Sequence, residues 1–140
     1  MQKKILSLIL TLCMLLGMFP FVVGTSAADS TAAYTEIGTA DELIALMGNS
    51  AGWAGNYRLT DDIDLTGKSG QACIGNDTTP FTGIFDGNGK TVSGVSLNIT
   101  GHKGVGFFGI VKDTEIRNLT VKGSVTSDTN FAGGMIGVIS

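Results

Sequence analysis

Gly106-Phe107-Phe108-Gly109 (GFFG), met again as Gly134-Met135-Ile136-Gly137 (GMIG), is the stretch on which the fold turns. The two copies lie 28 residues apart, and Gly83-Ile84-Phe85 (GIF) precedes the first by 23. Between them, Val92-Ser93-Gly94-Val95-Ser96-Leu97 resembles Ile116-Arg117-Asn118-Leu119-Thr120-Val121 at a spacing of 24. Each unit reads as a Gly-flanked apolar doublet, a polar turn, then an alternating strand. A repeat of roughly 20–30 residues made of short strands is the mark of a solenoid, because one such unit cannot bury its own apolar side. Stacked at the ~4.8 Å strand spacing, each coil pairs its backbone with the next and the inward side chains form a column. A β-sandwich with irregular hairpins would show similar local alternation; the repetition favours the solenoid. The reading predicts a ladder in which Ile84, Phe107 and Met135 lie above one another.

Working outward, Tyr57, Leu59, Ile63 and Leu65 alternate with polar partners, which is strand spacing. Turn signals follow at Thr66-Gly67 and Ser69-Gly70, and at Asp86-Gly87-Asn88-Gly89, where the Asp86 carboxylate is placed to accept backbone amides. Upstream the period changes. Thr39-Ala40-Asp41-Glu42 is a capping box, and Leu43, Ile44, Leu46 and Met47 follow with helical spacing until Gly48-Asn49. This predicts one short helix, about Ala40 to Met47, in a cap spanning 29–56, with β-helix repeats over 57–140. Trp53, in the loop from Asn49 to Asn56, is expected to pack down as a lid.

The first segment has a different physical character. Lys3 and Lys4 precede an apolar run from Ile5 to Leu16, broken by Ser7, Thr11 and Cys13. Gly17 and Pro20 loosen it, and Ser26-Ala27-Ala28 offers small residues for a peptidase. Residues 1–28 therefore read as a secretory signal peptide. An uncleaved anchor is the competing reading, since Ile5 to Val23 spans about the ~20 residues that cross a bilayer. The mature chain has 112 residues, a single domain at most. With Lys3 and Lys4 gone, 7 basic residues face 12 acidic ones, a net charge of −5. An acidic surface without a basic cluster argues against nucleic acid, and against anionic lipid once the leader is removed. Of the two cysteines only Cys73 remains, so disulfides do not staple this domain. Glycine is the outlier: 19 of the 21 fall in the mature chain, without collagen's regular spacing. Punctuating short apolar runs, they fit an all-β chain with many tight turns.

The run Tyr57-Arg58-Leu59-Thr60-Asp61-Asp62-Ile63-Asp64-Leu65, then Ile74-Gly75-Asn76 and the segment from Phe81 to Val92 (FTGIFDGNGKTV), resembles the opening of bacterial surface proteins with GLUG repeats. Those are named for a Gly-Leu-any-Gly core, whose leucine is replaced here by Phe107 and Met135. The resemblance covers about Tyr57 to Gly137. It implies a right-handed parallel β-helix in long extracellular proteins, with no catalytic residues to carry over.

Other motifs were weighed against plainer roles. Asp62, Asp64, Thr66 and Gly67 match the start of a calcium loop, but Cys73 stands where the closing Glu belongs, so Asp61, Asp62 and Asp64 read as outward acids. Gly89-Lys90-Thr91 ends like a phosphate loop, yet Ile84 replaces its first glycine. Asp86, Asp113 and Glu115 could approach one another on adjacent coils as a glycosidase pair, with nothing selecting them over solvated corners. His102, the only histidine, sits in a Gly-flanked polar loop without partners for zinc or a triad. The Asn76, Asn98 and Asn118 sequons read as incidental, two of them inside predicted strands.

These readings assign no catalytic, cofactor-binding or metal-ligating residue. They predict a non-catalytic scaffold or adhesion module, secreted or at the cell surface, whose corner loops such as Gly101 to Gly104 meet a glycan or surface-protein ligand. A carbohydrate-active β-helix and a stalk accessory to a catalytic domain are the alternatives. The repeat opening at Gly134 is unfinished at Ser140, which predicts a piece of a longer chain, marginal alone or prone to associate end to end. The leader generates a direct expectation: mass spectrometry of the secreted product gives an N-terminus at Asp29. A product retaining Met1 to Val23 would replace the signal peptide with an anchor.

Overall fold

Among the residues described by the computed structural model, 32–129 and 131–140, nine strands and one α-helix alternate with glycine-rich turns. The predicted signal peptide lies outside these residues. Strand β1 (Thr35–Ile37) leads into helix α1 (Ala40–Gly48) and a single 3₁₀ turn (Ser50–Gly52). Then come β2 (Tyr57–Leu59), β3 (Ile63–Asp64), β4 (Ile84–Asp86), β5 (Thr91–Ile99), β6 (Phe108–Val111), β7 (Glu115–Arg117), β8 (Thr120–Ser127) and β9 (Ile136–Ile139). They form three sheets, ordered β1-β2-β4-β7, β3-β5-β8 and β6-β9. Each of these strand pairings is parallel. The chain is all-β with one helix.

The order in which the chain visits the sheets repeats. From β4 to β6 it passes through the first, second and third sheet, and from β7 to β9 it does so again. On the preceding pass β2 and β3 serve the first two sheets, and Ile74 and Phe81 bridge in parallel to Phe108 and Val111 beside the third. Tyr57 pairs with Phe85, Val92 with Val121, and Phe108 with Ile136.

The interior is where the alternation pays off. Leu59, Phe85, Val92, Leu97, Phe107 and Phe108 are buried in one continuous core. Four phenylalanines, Phe81, Phe85, Phe107 and Phe108, are wholly inaccessible. Their rings meet at centroid distances of 5.2–6.4 Å, mostly edge to face, which suits the ring quadrupoles. Phe85 belongs to the first sheet and Phe108 to the third, so this contact ties the two walls across the core.

The helix forms as its caps dictate. Thr39 Oγ1 accepts from the Glu42 amide, and the Glu42 carboxylate accepts from the Gly38 and Thr39 amides. Leu43, Leu46 and Met47 are buried in the shared core. The helix runs one residue past the expected Met47, and the loop after it contains the 3₁₀ turn. Trp53 packs down as expected: it is buried, and its indole N–H donates to the Leu46 carbonyl at 2.9 Å. The stretch between β1 and β2 thus holds α1 where later passes place strands of the second and third sheets.

Two expectations about register fail. Ile84 does not lie over Phe107: it pairs with Glu115 in the first sheet, whereas Phe108 pairs with Ile136 in the third. Only GFFG and GMIG are equivalent. The shared pattern has two causes. A Cβ on Gly83 would strike the Gly55 carbonyl beneath it, while one on Gly106 would lie 2.8 Å from the Gly133 oxygen. Nor does Val92 align with Ile116; it pairs with Val121, 29 residues on, and Val95 pairs with Gly123, 28 on. The segment from Ile116 to Val121 is not one strand, because Asn118 turns the chain at φ 53° between β7 and β8. That places the Asn118 sequon in a turn, not a strand.

The close approach at Gly83 has a measurable consequence. Gly83→Ala should cost about 1–3 kcal/mol in urea unfolding, since backbone and not a pliable side chain must give way. Gly48→Ala, with nothing within 4 Å of the new methyl, should instead stabilise by up to about 1 kcal/mol through helix propensity. Equal effects at both sites would show that the contact with Gly55 does not govern the packing.

Candidate functional site

The loop from Gly101 to Gly104 follows β5, and its backbone is fixed from both sides. The Gly101 amide donates to Asp128 at 3.1 Å and the Lys103 amide to Asp77 at 3.3 Å. Asp77 itself sits in a turn closed by Asn76, whose side-chain oxygen accepts from the Thr78 and Thr79 amides. Acidic side chains from an earlier and a later loop therefore clamp this one. Val105 then bridges to Ala132.

Three recesses share the loop. One of about 290 Å³ is lined by Met47, Trp53, Cys73, Ile99 and His102 among others. A second, of about 310 Å³, lies between His102, Lys103, Asp128 and Phe131. The third, about 480 Å³, extends past Lys103 and Phe131 to Asp77 and Pro80. Phe131 is 61% exposed, an aromatic face left in water beside charged groups. Such a patch, apolar at its centre and polar at its rim, is the usual composition of an interaction surface.

The sequence-derived acids are not brought together across a cleft. Asp86 is 5% exposed and lies 3.3 Å from both Arg58 and Arg117. Register explains the arrangement, since Glu36, Arg58, Asp86 and Arg117 occupy matching positions on β1, β2, β4 and β7. Charges thus alternate along one face of the sheet. Tyr34 braces the row: its hydroxyl accepts from Arg117 at 2.9 Å, and the Arg58 guanidinium stands 4.5 Å above its ring. Glu115 pairs with Arg117 at 2.8 Å, and Asp113 lies in an exposed turn at φ 46°. An Asp86 fixed between two arginines is a structural group.

Burial alone would raise the Asp86 pKa. The Asn88 amide, the Asn118 side chain and the Arg117 charge outweigh it and hold the carboxyl below its usual range. Asp62 accepts from the Thr91 amide, and Asp64 from the Thr66 hydroxyl and amide, bonds that also lower the Asp64 pKa. Among the described residues no three metal-ligating side chains converge. Cys73 is half-buried, and burial pushes its thiol up despite a hydrogen bond with Gly106, which disfavours the reactive thiolate. His102 lines two recesses from an exposed position.

Sequence reasoning named the loop from Gly101 to Gly104 but missed Asp77, Lys103, Asp128 and Phe131 around it. The signal was the spacing. Asp77 and Lys103 are 26 residues apart, and Gly101 and Asp128 are 27 apart, close to one full pass of the chain. The shorter spacings of 23 and 24 concealed them.

The chain is similar to halomucin of Haloquadratum walsbyi, with 35% identity over 123 residues that cover 76% of this chain and 1% of halomucin. It is also 33% identical over 81 residues to a protein provisionally described as a Gly-rich membrane protein in Evansella cellulosilytica. That match covers 54% of this chain and 9% of the relative, so the chain spans a small fraction of either. No protein-family model matches it, and no solved structure does. Neither relative carries the name of an enzyme. No helix among the described residues is long and apolar enough to cross a membrane.

The Asp86 arrangement predicts acid sensitivity of a definite sign. A carboxyl whose folded pKa is depressed adds stability above its unfolded value, about 4. That contribution is lost as pH falls through the folded pKa. Asp86→Asn should lower stability at neutral pH by about 1–3 kcal/mol. It should also flatten the decline below about pH 4. Denaturant midpoints measured from pH 7 to 2 test this, and an unchanged pH profile would remove Asp86 from the account.

Proposed function

We propose that this chain forms the opening coils of a right-handed parallel β-helix, in a surface protein with GLUG-type repeats, and that it works by display. The recurring order of sheets, with parallel register at each pass, supports the coil reading. Backbone pairing between coils makes a stiff support, and the turns between sheets project from it at repeated positions. Binding surfaces commonly occupy loops held by a rigid scaffold. The clamped loop from Gly101 to Gly104, with Phe131 and Lys103 at its rim, is the proposed contact surface. Its ligand is a glycan or a protein at the cell surface.

The single observation that carries this reading is the convergence of three recesses and an exposed phenylalanine on a loop fixed by Asp77 and Asp128. The alternation Asp77, Lys103, Asp128 offers both donors and acceptors, suited to hydroxyl-rich partners. Non-catalytic binding fits the fixed state of Asp86, and similarity to halomucin fits an extracellular setting.

Glycan and matrix-protein arrays probed with the secreted chain test the proposal. Binding is expected, with Phe131→Ala and Lys103→Ala each weakening it by about tenfold or more as central contacts do, while melting temperature stays within a few degrees. Absence of binding together with turnover of a polysaccharide, abolished by Asp113→Asn or Glu115→Gln, would overturn it in favour of a carbohydrate-active protein.

A further inference from the structure

Strand β7 pairs with β4 on one side, and among the described residues no strand pairs on the other. Its backbone groups are divided accordingly. The Arg117 carbonyl accepts from the Gly87 amide, so Arg117 faces the β4 side. Orientation alternates along a parallel strand, which turns the Ile116 N–H and C=O toward the open edge. The Ile116 side chain packs on the core, so Glu115 and Arg117 project together from the opposite face.

Consider a second copy laid antiparallel against this edge, with a two-fold axis at Ile116. The two Ile116 residues would then exchange both backbone hydrogen bonds, as a hydrogen-bonded antiparallel pair does. Glu115 of each copy would stand opposite Arg117 of the other, an opposite-charge cross-strand pair made twice by symmetry. Reading Glu-Ile-Arg backwards, with charges exchanged, returns the same pattern. The other open edges lack this property: β8 carries Lys122 as its only charged residue and β9 carries none. At the opposite limit of the first sheet, the β1 edge is followed directly by α1.

We propose that β7 is the seam of a two-fold symmetric dimer of this chain. The contact joins open edge to open edge, so it closes on itself and does not propagate into a filament. The inference does not depend on any ligand at the loop from Gly101 to Gly104.

Sedimentation equilibrium of the secreted chain over a concentration series, with hydrogen exchange at low and high concentration, tests it. The expected result is a monomer–dimer equilibrium in which residues 115–117 gain protection as concentration rises. Glu115→Arg should weaken dimerisation at least about tenfold, because like charges then face each other. High salt should weaken the wild type in the same direction. Ile116→Pro should also weaken it, by removing the outward N–H while the β4 pairing made by residues 115 and 117 persists. The Glu115→Arg variant should keep its melting temperature, since Glu115 is exposed. A monomer at all concentrations, a dimerisation constant unchanged in both variants, or protection confined to β8 or β9 would each overturn the proposal.

Discussion

Parallel backbone pairing between segments roughly one pass of the chain apart is the constraint on which the rest of the structure depends. The strands are short, many of two to four residues, and none could persist by itself. Each amide finds a partner only because the segment after the next turns has the same length and returns to the same wall. That requirement fixes where the turns fall, and so which loops become neighbours. The proximity of Asp77, Lys103 and Asp128 follows from pairing far from any of them.

Much of this was legible because alternation and glycine placement report local chemistry. The capping box at Thr39 and Glu42 depends on residues three apart, and it formed as read. The inward alternation of Leu59, Ile63 and Leu65 follows from pleating alone, and all three are buried. The turn from Asp86 to Gly89 was equally local: the Asn88 amide donates to Asp86 at 2.9 Å.

Register was not local, and there the reading failed. Matching Gly83-Ile84-Phe85 to Gly106-Phe107-Phe108 assumed that glycines bounding an apolar doublet always do the same work. One accommodates the carbonyl of Gly55 and the other the carbonyl of Gly133, in different sheets. Asn118 posed a related difficulty, since a left-handed asparagine inside an alternating run is invisible to a period-two pattern. The Arg58, Asp86 and Arg117 row was hidden for the same reason. Its members are ordinary surface residues until parallel register stacks them.

The helix between β1 and β2 gives the molecule a direction in time as well as in space. As the chain is synthesised, α1, Trp53 and the first sheet's leading strands emerge before any later pass, and they complete a covered apolar surface early. Every subsequent segment then has a finished edge waiting for it, so growth needs only nearest-neighbour docking and no long search. A lesion in this leading segment would remove the template itself, whereas one in β8 or β9 would leave the earlier passes with theirs. Vectorial assembly from a helical starting block is the economy that such an arrangement provides.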